Sequence, residues 1–89
     1  MKAIVTVVGR DRVGIIASVT AKLSELKINV LDISQTILQD YFTMVMSVDL
    51  AGCETAFGEV KELLTGLGDD MGLVIRIQRT EIFDAMYKI

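Results

Sequence analysis

Eighty-nine residues suffice for one hydrophobic core and not for two, so a single small domain carries whatever this chain does. With 52% hydrophobic and 24% charged residues the chain is apolar enough to fold; it has no His, the commonest neutral-pH base and metal ligand, and its one cysteine, Cys53, excludes an internal disulfide or a Cys-rich zinc site. A net charge of −3, from 9 Lys and Arg against 12 Asp and Glu, argues against a nucleic-acid partner.

Near the start, Lys2 precedes the apolar run Ala3 to Val8, which is too short for a signal-peptide core and leads into Arg10-Asp11-Arg12. No stretch approaches the ~20 apolar residues of a membrane-spanning helix. The expectation is a cytoplasmic protein with no membrane partner.

Ala3 to Val8, mostly β-branched and ending at Gly9, reads as a strand buried on both faces or nearly so. From Val13 to Leu26 the residues Ile16, Val19, Leu23 and Leu26 form one stripe of a helix. Val30 to Leu38 alternates, with Leu31, Ile33 and Ile37 on one side and Asp32, Ser34 and Thr36 on the other, which predicts a strand with one wet face. Gln39-Asp40 makes a hairpin turn into a third strand, Tyr41 to Leu50, that points Phe42, Met44, Met46, Val48 and Leu50 inward. Helical spacing resumes over Glu54 to Leu67 through Phe57, Val60, Leu64 and Leu67, with Gly66 and Gly68 marking the end. Met71, Leu73, Ile75 and Ile77 alternate as a fourth strand.

The helix stripes recur 41 residues apart, as do the first and third strands, so the pattern is a duplicated half. A ferredoxin-like βαββαβ sandwich of the α+β class follows: a four-stranded antiparallel sheet with two helices on one face, spanning residues 1–79. Residues 80–89 carry Ile82, Phe83, Met86 and Ile89 as an amphipathic helical tail, which covers either this domain's own sheet or a second subunit. The sheet face away from the helices should present Ile4, Thr6, Val8, Tyr41, Val45 and Val74, a larger apolar patch than a monomer usually exposes.

The segment Gly9-Arg10-Asp11-Arg12-Val13-Gly14-Ile15 joins the first strand to the first helix. A carboxylate or phosphate suits the unpaired N–H groups at such a helix start, and Gly14, without a Cβ, lets a ligand come close. Structural roles also fit these residues: Asp11 as an N-cap, Arg10 and Arg12 as solvated cations, Gly9 as a strand stop. The spacing lacks the Lys-Ser or Lys-Thr of a P-loop. Asn29 fits either a left-handed helix C-cap or a polar amide offered to a zwitterion.

The run Val7 to Ile15, a helix, and then Ile28-Asn29-Val30-Leu31-Asp32-Ile33 resembles the ACT domain family, small-molecule-sensing modules of amino-acid metabolism. Tyr41-Phe42-Thr43-Met44 and Ile82-Phe83-Asp84-Ala85-Met86 resemble its short stand-alone members of the glycine-cleavage-repressor type. The resemblance implies a non-enzymatic regulatory homodimer or higher homo-oligomer that binds an amino acid between subunits, needs no cofactor, and acts on a regulated protein partner. It places the ligand on Asp11, Arg12, Val13, Gly14 and Ile15 of one chain and on Asn29 and Val30 of the other. The backbone of Val13, Gly14 and Ile15 would hold the carboxylate, and Asp11 with the second chain's Asn29 the ammonium. Serine-sensing members tend to carry His and Asn in this loop, whereas this chain has Gly9 and Asp11, so the ligand need not be serine.

An acylphosphatase-like enzyme shares the topology but wants an Arg opening the first helix, where this chain has Ile15-Ile16-Ala17-Ser18; Arg10 and Arg12 in the preceding loop keep that alternative open. A third alternative is a ligand-free assembly module. An RNA-recognition sheet needs aromatics on its open face, where only Tyr41 stands.

Overall fold

A computed structural model describes residues 1–81, and the tail expected over 80–89 lies, from residue 82 onward, outside them. The elements are β1 (Lys2–Arg10), α1 (Ile15–Glu25), β2 (Asn29–Leu38), β3 (Tyr41–Asp49), α2 (Phe57–Met71) and β4 (Leu73–Arg79). The strands form one antiparallel sheet in the order β2-β3-β1-β4, the expected ferredoxin-like arrangement. No helix among the described residues is long and apolar enough to cross a membrane.

Strand alternation fixes the core. Pairing sets Val5 opposite Met46 and Ile77, and Val7 opposite Met44 and Ile75, so the inward residues of three strands share one face. All of them are buried, and α1 and α2 close over that face with Ile15, Val19, Leu23, Val60 and Leu64. Removing this much apolar surface from water is the main stabilising contribution.

The helix boundaries differ from the sequence reading. Helix α1 begins at Ile15, after Gly14 in the left-handed region (φ 91), so its buried stripe is Ile15, Val19 and Leu23; Ile16 is exposed and Leu26 is only the C-cap. Helix α2 begins at Phe57 instead of Glu54 and continues through Gly66 and Gly68 to Met71, with left-handed Gly72 (φ 70) as its C-cap. Gly68 is needed inside the helix. A Cβ there would lie 2.6 Å from the Leu73 carbonyl oxygen and 3.2 Å from Ile75 Cγ1, so its absence lets α2 settle onto β4. Met71 is therefore the last helical residue and no part of the strand. The buried stripes of the two helices thus superpose at 45 residues, the first and third strands at 41, because the β3–α2 connector is longer than the β1–α1 loop.

Gly9 does not stop β1. It pairs with Phe42 and Leu73, and a Cβ on it would come within 2.5 Å of Leu73 Cδ2. The left-handed residue after α1 is Lys27 (φ 60), while Asn29 is already the first residue of β2, which removes the C-cap role for Asn29.

Strand β2 departs most from expectation: it is exposed along nearly its whole length on both faces. Ile33, Gln35 and Ile37 pair with Met46, Met44 and Phe42 and so face the helix side, yet Ile33 and Ile37 stay 42% and 54% exposed. The edge strand extends past the cover the helices give. A bulge between Val30 and Asp32 takes Leu31 out of the alternation.

Candidate functional site

The loop from Asp11 to Gly14 leaves the end of β1 and is tied to the β2–β3 hairpin, where the Asp11 N–H donates to the Asp40 carbonyl at 2.8 Å. Gln39 of that hairpin takes positive φ (58). On its other side the loop is tied to α2: the Arg12 guanidinium donates to the Met71 carbonyl at 3.2 Å. That carbonyl belongs to the last helical residue, where unpaired acceptors and the negative end of the helix dipole favour a cation.

Between these anchors the chain turns into α1 through Gly14. The Gly14 carbonyl accepts the first helical bond, from Ser18 N–H at 2.9 Å, but no side chain caps the helix and its first turn holds no acidic residue. Asp11 is thus not the N-cap. The first turn of α1 borders a recess of about 330 Å³ formed by Asp11, Arg12, the turn Gly14 to Ala17, Gln35 and Ile37 of β2, and Phe42 of β3. Its size is at the lower end of the range for small-ligand sites, about 300–1,000 Å³. A Cβ at Gly14 would meet nothing within 4 Å, so the glycine answers a backbone need and leaves the helix start open. A neighbouring polar recess of about 380 Å³ is lined by Arg10, Asp11, Gln39 and Asp40.

Of the predicted residues, Asp11, Arg12, Gly14 and Ile15 converge on the recess. Ile15 itself is buried, whereas Val13 is 99% exposed and does not line the recess. Asn29 and Val30 are not brought there within one chain. Asn29 pairs with Asp49, which pairs with Lys2, at the other end of β1 from the loop, about 26 Å away at the rise of an extended strand. Sequence reasoning missed Gln35, Ile37 and Phe42. Strand alternation alone would have set them on the helix side, but only the strand order shows that the loop lies beside them.

A groove between α2 and β4, lined by Lys61, Thr65, Ile75, Arg76, Ile77 and Gln78, lies at the opposite edge of the sheet. No group of three or more potential metal ligands occurs among the described residues. Cys53 is half-buried in the β3–α2 connector, its thiol 3.5 Å from the Thr55 carbonyl.

The ACT domain model matches residues 2–78. A UPF0237 protein of Listeria innocua is 52% identical over 89 residues, covering 100% of both chains. Among solved structures, an ACT domain protein from Streptococcus pneumoniae superposes with a TM-score of 0.84 at 44% identity, over 98% of each chain. A putative glycine cleavage system transcriptional repressor superposes at 0.76 with 25% identity, over 86% of this chain and 44% of that one. The continuous family match, with the strand order and the glycine-led helix start, establishes that this chain belongs to the ACT domain family.

Proposed function

We propose that this ACT domain is a non-enzymatic regulatory protein that senses a free amino acid at the seam of a homodimer. The observation that carries the reading is the uncapped start of α1, open to a recess beside the ten-residue edge strand β2, whose outer edge has no strand partner among the described residues. Exposed N–H groups at the positive end of a helix suit a carboxylate. The exposed Asp11 carboxylate beside them suits an ammonium, so the two together fit a zwitterion.

Strand β2 supplies the reason for two chains. Among the described residues its outer edge pairs with no strand, and Leu31, Ile33, Ile37 and Leu38 are exposed along it. Antiparallel pairing of two β2 edges would extend the sheet across a two-fold axis. It would set Asn29 of the partner subunit opposite the Leu38 end, beside the Asp11 to Gly14 loop, which is how two stretches far apart in one chain come to share a ligand. The regulatory half of the reading draws support from the likeness to a putative transcriptional repressor. The acylphosphatase-like alternative gains none, since the first turn of α1 carries no Arg.

A thermal-shift screen of the twenty amino acids tests this. One of them should raise the melting temperature of the wild type, by an amount equivalent to about 2.7 kcal/mol at a hundredfold excess over its dissociation constant. Gly14→Val and Asn29→Ala should lose that increment. Gly14→Val also lowers the starting temperature, because a β-branched residue is strained at φ 91, so the ligand-induced increment is the readout. If no amino acid stabilises the wild type, the sensor reading fails and a ligand-free assembly module takes its place.

A further inference from the structure

The sheet face away from the helices is uncovered among the described residues, and it lies on a different surface from the β2 edge. Val8, Val45, Tyr41 and Val74 are 39%, 40%, 53% and 54% exposed there. Pairing fixes their layout: Val45, Thr6 and Arg76 form the middle row, and Thr43, Val8 and Val74 the next. Asp32 heads the β2 side next to Ser47, while Arg76 stands on the β4 side. The face is therefore an apolar centre with an acidic group towards one edge and a basic group at the other.

We propose that a second copy of this chain packs on this face, sheet against sheet, about a two-fold axis running along the strands between β1 and β3. Two in-plane axes would bring the faces together, and charge chooses between them. An axis across the strands sets Arg76 on its own symmetry mate and Lys2 on Arg10 of the other copy, and like charges facing each other oppose association. The axis along the strands sets β2 against β4, bringing Asp32 near Arg76, and sets Tyr41 of β3 against Arg10 of β1, an arrangement suited to a cation over an aromatic ring. The centre of the contact is then Val45 on Thr6 and Val8 on Thr43, at the ~10 Å spacing of packed sheets. Four strands of this length cover roughly 500 Å² per copy, so two copies reach the ~1,000 Å² expected of a specific interface.

The rival occupant is the chain's own end. It leaves β4 after Arg79, near Ala3, while Val8 and Val74 lie towards the other end of the sheet, about 17 Å along β4 from Arg79.

Sedimentation equilibrium of the full chain tests the proposal. Val45→Asp should halve the mass of the associated species, whether or not the β2 edges also pair, with circular dichroism checking that the variant remains folded. Arg76→Glu, on an exposed edge residue, should weaken the same step at least about tenfold, and Asp32→Arg combined with Arg76→Glu should restore it. Phe83→Asp with Met86→Asp, within the tail, should leave it unchanged. The proposal is overturned if Val45→Asp and Arg76→Glu keep the wild-type mass and affinity, or if the charge swap fails to restore association. It is overturned in favour of the tail if only the Phe83 and Met86 variant changes the oligomer or makes the face bind a hydrophobic dye.

Discussion

Replacing Gly68 with Ala should destabilise this domain, although the same change two residues earlier, at Gly66 on the opposite face of the helix, should stabilise it. Both glycines lie inside α2, where Ala is favoured over Gly by about 1 kcal/mol. At Gly66 a Cβ would meet nothing within 4 Å, so the gain is kept. At Gly68 it would sit 2.6 Å from the Leu73 carbonyl oxygen, and ordinary contact at 3.4 Å requires a separation about 0.8 Å larger. That oxygen belongs to the backbone of β4, which pairs with β1, so it cannot swing aside as a side chain would. Overpacking of this kind costs about 1–3 kcal/mol, which offsets the propensity gain and leaves a net loss of about 1 kcal/mol. In a domain of this size 1 kcal/mol moves the melting temperature by about 4–8 °C. Thermal denaturation followed by circular dichroism should therefore show Gly66→Ala several degrees above the wild type and Gly68→Ala several degrees below. Equal, upward shifts for the two variants would refute the close approach of α2 to β4. The consequence reaches the site, since α2 ends at the Met71 carbonyl on which Arg12 docks.

Arg12→Ala removes that hydrogen bond and the cation at the end of α2, and should cost about 0.3–1 kcal/mol, measured by urea denaturation at low ionic strength. The difference should shrink as salt is added, because the pair is exposed. Ile33→Lys combined with Ile37→Lys should leave the fold intact, both positions being about half exposed, while halving the mass seen in sedimentation by blocking pairing of the β2 edges. An unchanged mass would remove that edge as the dimer seam.

The order of elements was legible because strand and helix periods alternate cleanly: Phe42, Met44, Met46 and Val48 leave no second reading for β3, and all four are buried. The helix phases were less so. Ile15 and Ile16 are adjacent and equally apolar, and only the left-handed turn at Gly14 decides that Ile15 faces the core. Glycine misled in both directions. Gly66 and Gly68 looked like a helix end, yet at Gly68 the requirement is room for a strand carbonyl, a contact between separate elements that local pattern does not carry. For the site, the glycine-led loop stood out, but Gln35 and Ile37 did not, since their role depends on the loop being tied to the neighbouring hairpin through Asp40. Asn29 could be singled out as polar at a strand start, while its distance from the loop within one chain became visible only from the pairing.

That distance allows the most direct test. If loop and strand start from different chains form each site, then Gly14→Val and Asn29→Ala should each abolish binding of the amino acid found in the screen. A heterodimer made by mixing the two variants would regain one intact site of its two. Calorimetric titration of an equilibrated equal mixture should recover about one quarter of the wild-type site number, the statistical share for a two-fold dimer. A mixture that binds no better than either variant alone would contradict a site shared between chains.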